Sequence, residues 1–219
     1  GSAVGLAIGH YLATGRPALI YMQNSGLGNT VNPVASLVDP QVYGIPMIFM
    51  IGWRGEILSD GKQLHDEPQH KKQGQITLSQ LDILDIPYRI VDSSHEKIEA
   101  IMKNLVQLSL QRSGPVALII RKNTFSFFKL IQPAQEDNED LPLTREAAIS
   151  SIIASLPEDV AVVSTTGMAS RELFELRKAN NQGHQRDFLT VGGMGHAGQI
   201  AAGIALSRPE LKVLCIDGD

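Results

Sequence analysis

The chain has 219 residues, of which 43% are hydrophobic and 19% charged, and its formal net charge is −4. That length fits one large domain or two small ones, and the slight acidic excess argues against a nucleic-acid-binding surface. No apolar run is long enough to span a bilayer, and no signal-peptide pattern opens the sequence. The single cysteine, Cys215, has no internal disulfide partner, so a reducing compartment such as the cytoplasm is expected.

The first part of the chain alternates short apolar runs with longer amphipathic segments. Strands are predicted at Ala18–Met22, Pro46–Ile51, Tyr88–Val91 and Pro115–Arg121. Between the last two, His95–Arg112 carries apolar side chains at i, i+3 and i+4 spacing, which predicts a helix. Continuous apolar strands joined by helices indicate a parallel sheet, and hence the α/β class.

A change in composition divides the chain in two. Residues 131–143 are acidic, contain two prolines and lack periodicity, which predicts a linker between domains at 1–130 and 144–219. In the second domain, Thr144 is expected to cap a helix. Further elements are predicted as strands at Asp159–Ser164 and Leu211–Ile216 and as a helix at Ala169–Ala179.

Two segments have a similar order of features. Gly5–Met22 and Gly198–Leu214 each contain a helix pattern rich in small residues, an Arg-Pro turn and an apolar strand. This likeness fits two related halves, although any helix–turn–strand unit has the same order. The sequence also starts within a helix pattern and stops directly after a strand, so we expect it to be an excerpt of a longer protein.

Glycine and polar residues follow the predicted strands of the second domain. Ligands of open α/β sheets bind beyond the carboxyl ends of strands. Thr165-Thr166-Gly167 suits either a phosphate or helix capping by Ser164 or Thr165. Val191–Gly198 holds four glycines around Met194 and His196, and glycine permits a close approach of ligand to backbone. Asp217-Gly218-Asp219 is either a divalent-cation site or an ordinary acidic turn.

The first domain has two comparable loops. Asn24–Asn32 follows a strand, and its amides and glycines fit an oxyanion site or a structural turn. His65–His70 is interpreted as a loop that is solvated, holds a metal, or closes over substrate and supplies a proton donor. Arg54, beside an aromatic residue at a strand end, suits an anionic substrate.

Together these motifs resemble the thiamine diphosphate enzymes. In that family the aspartate of a Gly-Asp-Gly motif binds Mg²⁺, and Gly218-Asp219 matches its first two positions. Within the family the chain closely resembles the phosphonopyruvate decarboxylases, and the sulfopyruvate decarboxylases share several of the same segments. The similar segments are Tyr21–Pro33, Gly44–Glu56, Asp66–His70, Ser164–Arg177 and Asp187–Leu206.

The resemblance implies a fold and a reaction. The fold would be two related parallel-sheet domains of the thiamine diphosphate-binding type, with the second truncated. The reaction would convert 3-phosphonopyruvate to phosphonoacetaldehyde and CO₂, with thiamine diphosphate and Mg²⁺ as cofactors. The site would lie between the pyrimidine-binding domain of one subunit and the diphosphate-binding domain of another, so at least a homodimer is implied.

The resemblance also assigns roles to residues. Asp219 matches the Mg²⁺ ligand, and Met194 matches the apolar side chain that supports the bent cofactor. His70 is a hypothesis for proton transfer, and Arg54 for binding the substrate anion. The cofactor-binding residues expected on this basis are Asn24, Ser25, Asn29, Thr165, Thr166, Gly167, Gly193, Met194, Gly195, His196 and Gly218.

Two family residues fall outside the sequence. The activating glutamate would precede the Gly1–Val4 segment, and a second Mg²⁺ ligand, an asparagine, would follow Asp219. The chain by itself is therefore expected to have little activity. Two alternatives remain: a decarboxylase for sulfopyruvate or another 2-keto acid, and a non-catalytic short paralogue that pairs with a complete subunit.

Overall fold

A computed structural model describes residues 1–94, 98–129, 143–157 and 159–218. The chain divides into two compact units, unit 1 (Gly1–Lys129) and unit 2 (Leu130–Asp219). Each contains a parallel sheet with helices, and the sheet of unit 2 is the smaller, so the predicted α/β class is confirmed. No helix in the described ranges combines the length and apolar character needed to cross a bilayer.

Unit 1 is a four-stranded sheet in the order β1-β2-β4-β3, with every pair parallel. All four strands predicted there are confirmed. A 3₁₀ turn at Asn24–Thr30 and a π-helical turn at Val34–Val38 flank the short helix α2. The elements are α1 Ser2–Thr14, β1 Ala18–Gln23, α2 Val31–Pro33, β2 Met47–Gly52, α3 Pro68–Ile83, β3 Tyr88–Val91, α4 Ile98–Arg112 and β4 Pro115–Ile120.

The two central strands are apolar throughout because both of their faces are covered. Phe49 of β2 points to one face, where it packs with Val4 of α1 and Leu81 of α3. Ile48 points to the opposite face, where it packs with Leu105 of α4. These side chains are almost fully buried, so the removal of each from water stabilises unit 1 by about 1.5–3 kcal/mol.

Helix α3 corrects the sequence interpretation of residues 65–70 as a loop. The chain becomes helical at Pro68, which occupies the first helical turn, where a missing N–H costs nothing. The helix is polar on most of its surface, so periodicity did not reveal it. It is held instead by close packing: the Trp53 indole N–H donates to the Gly74 carbonyl at 2.9 Å. A Cβ on Gly74 would lie only 1.8 Å from the Gly55 carbonyl oxygen.

Unit 2 is a three-stranded parallel sheet in the order β6-β5-β7. The predicted cap is confirmed, because the Thr144 hydroxyl accepts from the Ala147 N–H at 3.1 Å. Strand β6 was not predicted. The Asp187 side chain on this strand is 1% exposed and is paired with Arg177 at 3.0 Å. The elements are α5 Arg145–Ser155, β5 Ala161–Ser164, α6 Met168–Ala179, β6 Asp187–Leu189, α7 Ala197–Ser207 and β7 Val213–Ile216.

Some sequence predictions fall outside the described residues. The linker predicted at 131–143 does so except for its last residue, and the predicted helix His95–Arg112 is described only from Ile98. Asp219, the expected Mg²⁺ ligand, also lies outside them.

Candidate cofactor and substrate site

The three strands of unit 2 end on one edge of the sheet because all of them are parallel. The loops beyond them are tied to one another. The Thr165 N–H donates to the Ile216 carbonyl at 2.8 Å, and the Thr166 hydroxyl donates to the Val191 carbonyl at 2.8 Å. A Cβ on Gly218 would lie 3.3 Å from the Thr165 methyl carbon. The predicted residues Thr165, Thr166 and Gly218 therefore lie together at this edge.

Two helices begin at the same edge without a side-chain cap. Helix α6 starts after Gly167, whose φ of 93° and ψ of −138° are accessible mainly to glycine. The alternative that Ser164 or Thr165 caps this helix is wrong, because the residue at the N-cap is Gly167, which makes no side-chain cap hydrogen bond. Helix α7 starts after His196 and is also uncapped. Uncapped N–H groups and the helix dipole favour an anion such as a diphosphate.

The glycine-rich loop before α7 exposes an apolar side chain. Gly193 and Gly195 have φ values of 75° and 80°, which a side chain would strain. The His196 Nδ1 lies 2.9 Å from the Gly193 carbonyl oxygen. Because that oxygen only accepts, Nδ1 carries the hydrogen. Met194 is 79% exposed, which leaves its side chain accessible to a ligand.

The residues at this edge fit a diphosphate group. The Ser164 hydroxyl is buried and has no hydrogen-bond partner among the described residues. A Cβ on Gly167 would meet no atom within 4 Å, so the space beside this turn is open.

No group of three His, Cys, Asp or Glu side chains suited to a metal occurs within the described ranges. Burial, and secondarily the charge of Asp217, raises the pKa of the Cys215 thiol.

Unit 1 has a cavity of about 490 Å³ at the carboxyl ends of β1, β2 and β4. It is the corresponding edge of the larger sheet, so its position follows the general rule for open α/β sheets. Residues from the strand ends and from the loops after β2 and β4 form its walls. They are Met22, Gln23, Gly52, Trp53, Arg54, Gly55, Leu64, His65, Asp66, Ile120, Arg121 and Lys122.

Arg54 lines this cavity and is held by Asp66. Its Nε donates to Asp66 Oδ2 at 2.7 Å, and its Nη2 donates to Oδ1. The Asp66 carboxylate also accepts the Gly55 N–H at 2.9 Å. The hydrogen bonds from Arg54 are the largest cause that holds the pKa of Asp66 well below its usual range, and the same pairing raises the pKa of Arg54. The Arg54 Nη1 makes no hydrogen bond to any described residue.

Asn24 is a brace inside unit 1. It is fully buried. Its amide nitrogen donates to the Arg54 carbonyl and to the Thr77 hydroxyl, both at 2.9 Å. Its side-chain oxygen accepts the Arg54 N–H at 3.2 Å. These bonds occupy the amide and join the end of β1, the loop after β2 and helix α3.

The other predicted residues of unit 1 lie in different surroundings. Ser25 and Asn29 are exposed, and the Ser25 hydroxyl donates to the Gln23 side chain at 2.9 Å. His70 lies in the first turn of α3, where its Nδ1 is buried without a partner among the described residues. His70 is not among the residues that line the cavity, whereas His65 is.

Sequence reasoning missed Arg121 and Lys122 of the cavity wall. Both follow β4, so the carboxyl-end rule could have identified them. It also missed Glu56, whose side chain is 6% exposed and lies 3.6 Å from the Arg121 guanidinium. The buried position of Glu56 depends on tertiary packing and has no local sequence signal.

Comparison with known proteins identifies the relatives of this chain. Residues 1–81 match the family described as the thiamine pyrophosphate enzyme N-terminal binding domain. The whole chain is 32% identical to the phosphonopyruvate decarboxylase of Streptomyces viridochromogenes and 31% identical to that of Streptomyces hygroscopicus. The chain is therefore similar over its whole length to two proteins named phosphonopyruvate decarboxylase.

The similarity covers only part of each relative, and it extends to decarboxylases named for two different substrates. The chain spans about half the length of the curated relatives it matches, namely 55% and 54% of the two phosphonopyruvate decarboxylases. The sulfopyruvate decarboxylase subunit alpha of Methanothermobacter thermautotrophicus is 38% identical over 117 residues, which are 53% of this chain and 64% of that protein. Both kinds of relative carry the word decarboxylase in their names, and the resemblance inferred from the motifs is therefore confirmed.

Proposed function

We propose that this chain is part of a thiamine diphosphate-dependent decarboxylase acting on a 2-keto acid. The observation that carries the proposal is homology to phosphonopyruvate decarboxylases over the whole chain. The uncapped, glycine-rich edge of unit 2 supports it independently, because it offers main-chain donors in open space. When bound, thiamine diphosphate supplies the electron-accepting group that decarboxylation of a 2-keto acid requires.

The residues of unit 2 are proposed to bind the cofactor. The first turns of α6 and α7 would donate N–H groups to the diphosphate, together with the hydroxyls of Thr165 and Thr166. Gly167, Gly193, Gly195 and Gly218 would let the backbone approach, and the exposed Met194 would contact the rings. Asp219 is proposed as the Mg²⁺ ligand on the basis of the resemblance alone. His196 holds the loop through its Nδ1 and keeps its Nε2 for a ligand.

The residues of unit 1 are proposed to act on the substrate. Asp66 fixes the guanidinium of Arg54, so the free Nη1 is held in place to donate to a substrate carboxylate. His70 is proposed to transfer a proton on the basis of the sequence interpretation alone, since it is not among the residues that line the cavity. Ser25 and Asn29 are proposed to line the cofactor cleft from exposed positions. The proposed contribution of Asn24 is indirect, because its buried amide fixes the loop that carries Arg54.

We further propose that the substrate is 3-phosphonopyruvate and that the minimum assembly is a homodimer. A cytoplasmic location is proposed because the free thiol of Cys215 suits a reducing compartment. Sulfopyruvate is a second candidate substrate because the alpha subunits of sulfopyruvate decarboxylases match 53% of the chain. CO₂ release by the protein from its natural source, measured with the two keto acids in competition, would separate them. Preferential consumption of sulfopyruvate would contradict the first assignment.

Cofactor binding tests the proposal directly. We expect calorimetric titration of the chain with thiamine diphosphate in MgCl₂ to show saturable binding. Gly193→Ala should weaken that binding by about tenfold, because a side chain is strained at its positive φ. Gly203→Ala is the matched control, because Gly203 lies within α7 and a Cβ there meets nothing within 4 Å. Absence of binding by the unsubstituted chain, or equal binding by both variants, would contradict the proposed site.

A further inference from the structure

The charged side chains that line the cavity of unit 1 are mostly paired. Arg54 is paired with Asp66 through two hydrogen bonds, so this pair contributes little net charge. Arg121 is also engaged. Its guanidinium lies 5.3 Å from the centre of the Trp53 ring, and it donates to the Ile57 carbonyl at 3.2 Å. It also compensates the buried Glu56 carboxylate at 3.6 Å.

Lys122 is the exception in this cavity wall. It lines the cavity and is exposed, and it makes no ion pair with any described residue. An uncompensated ammonium at the rim of a cavity attracts an anion, and low-dielectric walls strengthen the attraction. The paired charges around it mean that Lys122 sets the net positive charge of the cavity.

The backbone that carries Lys122 is fixed. The Thr124 hydroxyl donates to the Arg121 carbonyl at 2.7 Å, which closes the turn that contains Lys122. Asn123 in the same turn has a φ of 61°, a left-handed conformation that asparagine tolerates. The Arg121 N–H donates to the Val91 carbonyl at 3.0 Å, which anchors the turn to β3. Lys122 therefore lines the cavity from a rigid base at the end of β4.

We propose that Lys122 binds the terminal tetrahedral oxyanion of the substrate and so determines its specificity. This inference rests on the proposed function. The names of both kinds of relative specify a keto acid with a second anionic group, a phosphonate or a sulfonate. Loss of CO₂ removes the carboxylate and leaves that second group in place. A flexible point charge such as an ammonium accommodates a tetrahedral oxyanion of either element.

The test uses methylphosphonate and methanesulfonate as probes, because they carry the terminal group and lack the keto acid. Titration of the 219-residue chain, followed by nuclear magnetic resonance, should show saturable binding that weakens as salt is added. Lys122→Gln should weaken it by about fivefold or more. Lys103→Gln is the matched control, because Lys103 is exposed on α4 and is paired with Glu99 at 2.7 Å. Acetate is the control ligand: because a carboxylate is assigned to Arg54, Lys122→Gln should leave acetate binding unchanged.

The possible results separate this inference from the proposed function. Equal binding by the two lysine variants, or no saturable binding by the unsubstituted chain, would overturn the role of Lys122. Tighter binding of methanesulfonate than of methylphosphonate would support the site and assign it to a sulfonate. If Lys122→Gln loses probe binding while it and the unsubstituted chain still bind thiamine diphosphate, the role of Lys122 and the proposed function are both supported. Intact probe binding without any cofactor binding would contradict the proposed function and leave the anion site supported.

Discussion

The carboxyl edges of the two sheets are built differently. In unit 1 the loops are held by side chains. The Asn24 amide hydrogen-bonds to the backbone of Arg54, and the Asp66 carboxylate accepts from the Arg54 side chain. In unit 2 the loops are joined by backbone groups and by the hydroxyls of Thr166 and Thr190, and they turn at glycines with positive φ. These side-chain hydrogen bonds produce a cavity in which the charged side chain of Arg54 is held in position. The glycine turns produce an open surface of N–H donors, which suits an anion that is recognised by backbone.

The largest expected effect concerns the close packing behind the wall of unit 1. Gly74→Ala would place a Cβ 1.8 Å from the Gly55 carbonyl oxygen, so helix α3 must move away from the cavity. We expect the free energy of unfolding of unit 1 to fall by about 3 kcal/mol. Urea unfolding followed by fluorescence reports on unit 1, because Trp53 is the single tryptophan.

Gly9→Ala in α1 is the control for this change. A Cβ on Gly9 would meet no atom within 4 Å, so the variant should gain about 0.5–1 kcal/mol from the helix preference of alanine. A Gly74→Ala protein as stable as wild type would show that the close approach of α3 does not hold the cavity wall.

A second substitution compares the braces of the two edges. Asn24→Ala removes a buried amide and leaves the backbone N–H and carbonyl of Arg54 without their partner, which should cost unit 1 about 2–3 kcal/mol. Thr166→Val removes one exposed hydrogen bond from unit 2 and should cost about 0.5–1 kcal/mol. Asn29→Ala, at an exposed position, should change the free energy of unfolding by less than about 0.5 kcal/mol. Similar losses for Asn24 and Thr166 would remove the proposed difference between the edges.

A third prediction, smaller than the losses at Gly74 and Asn24, depends on pH. The folded-state pKa of Asp66 is depressed below its ordinary value of 3.8, so its ion pair with Arg54 stabilises unit 1 fully above that value. As the pH falls below 3.8, the unfolded chain binds a proton first and the contribution declines. Asp66→Asn should therefore be less stable than wild type at pH 7, by about 1–2 kcal/mol.

Urea unfolding of the two proteins at pH 7 and at pH 3 measures this contribution. The difference between wild type and Asp66→Asn should shrink at the lower pH, because protonation of Asp66 in the unfolded state removes part of the advantage. A difference that grows as the pH falls would contradict the depressed pKa of Asp66.

Local patterns predicted most of the fold but only part of the candidate site. The apolar runs of β2 and β4 and the cap at Thr144 are signals within a few residues, and all of them are confirmed. Helix α3 was missed because its surface is polar and it is held by the approach of Gly74 to Gly55. The buried brace at Asn24 was missed for a similar reason, since its partners lie 30 and 53 residues away.

The sequence by itself determined the class of fold, the loops at the carboxyl ends of the strands and the resemblance to thiamine diphosphate enzymes. These depend on periodicity and on short motifs, which are local properties. Only the tertiary structure decided which side chains at those loops are engaged. It showed Arg54 paired with Asp66 and Arg121 paired with Glu56, and it left Lys122 without an ion pair in the described part of the chain. Pairing depends on distances between elements remote in sequence, and a linear pattern does not carry those distances.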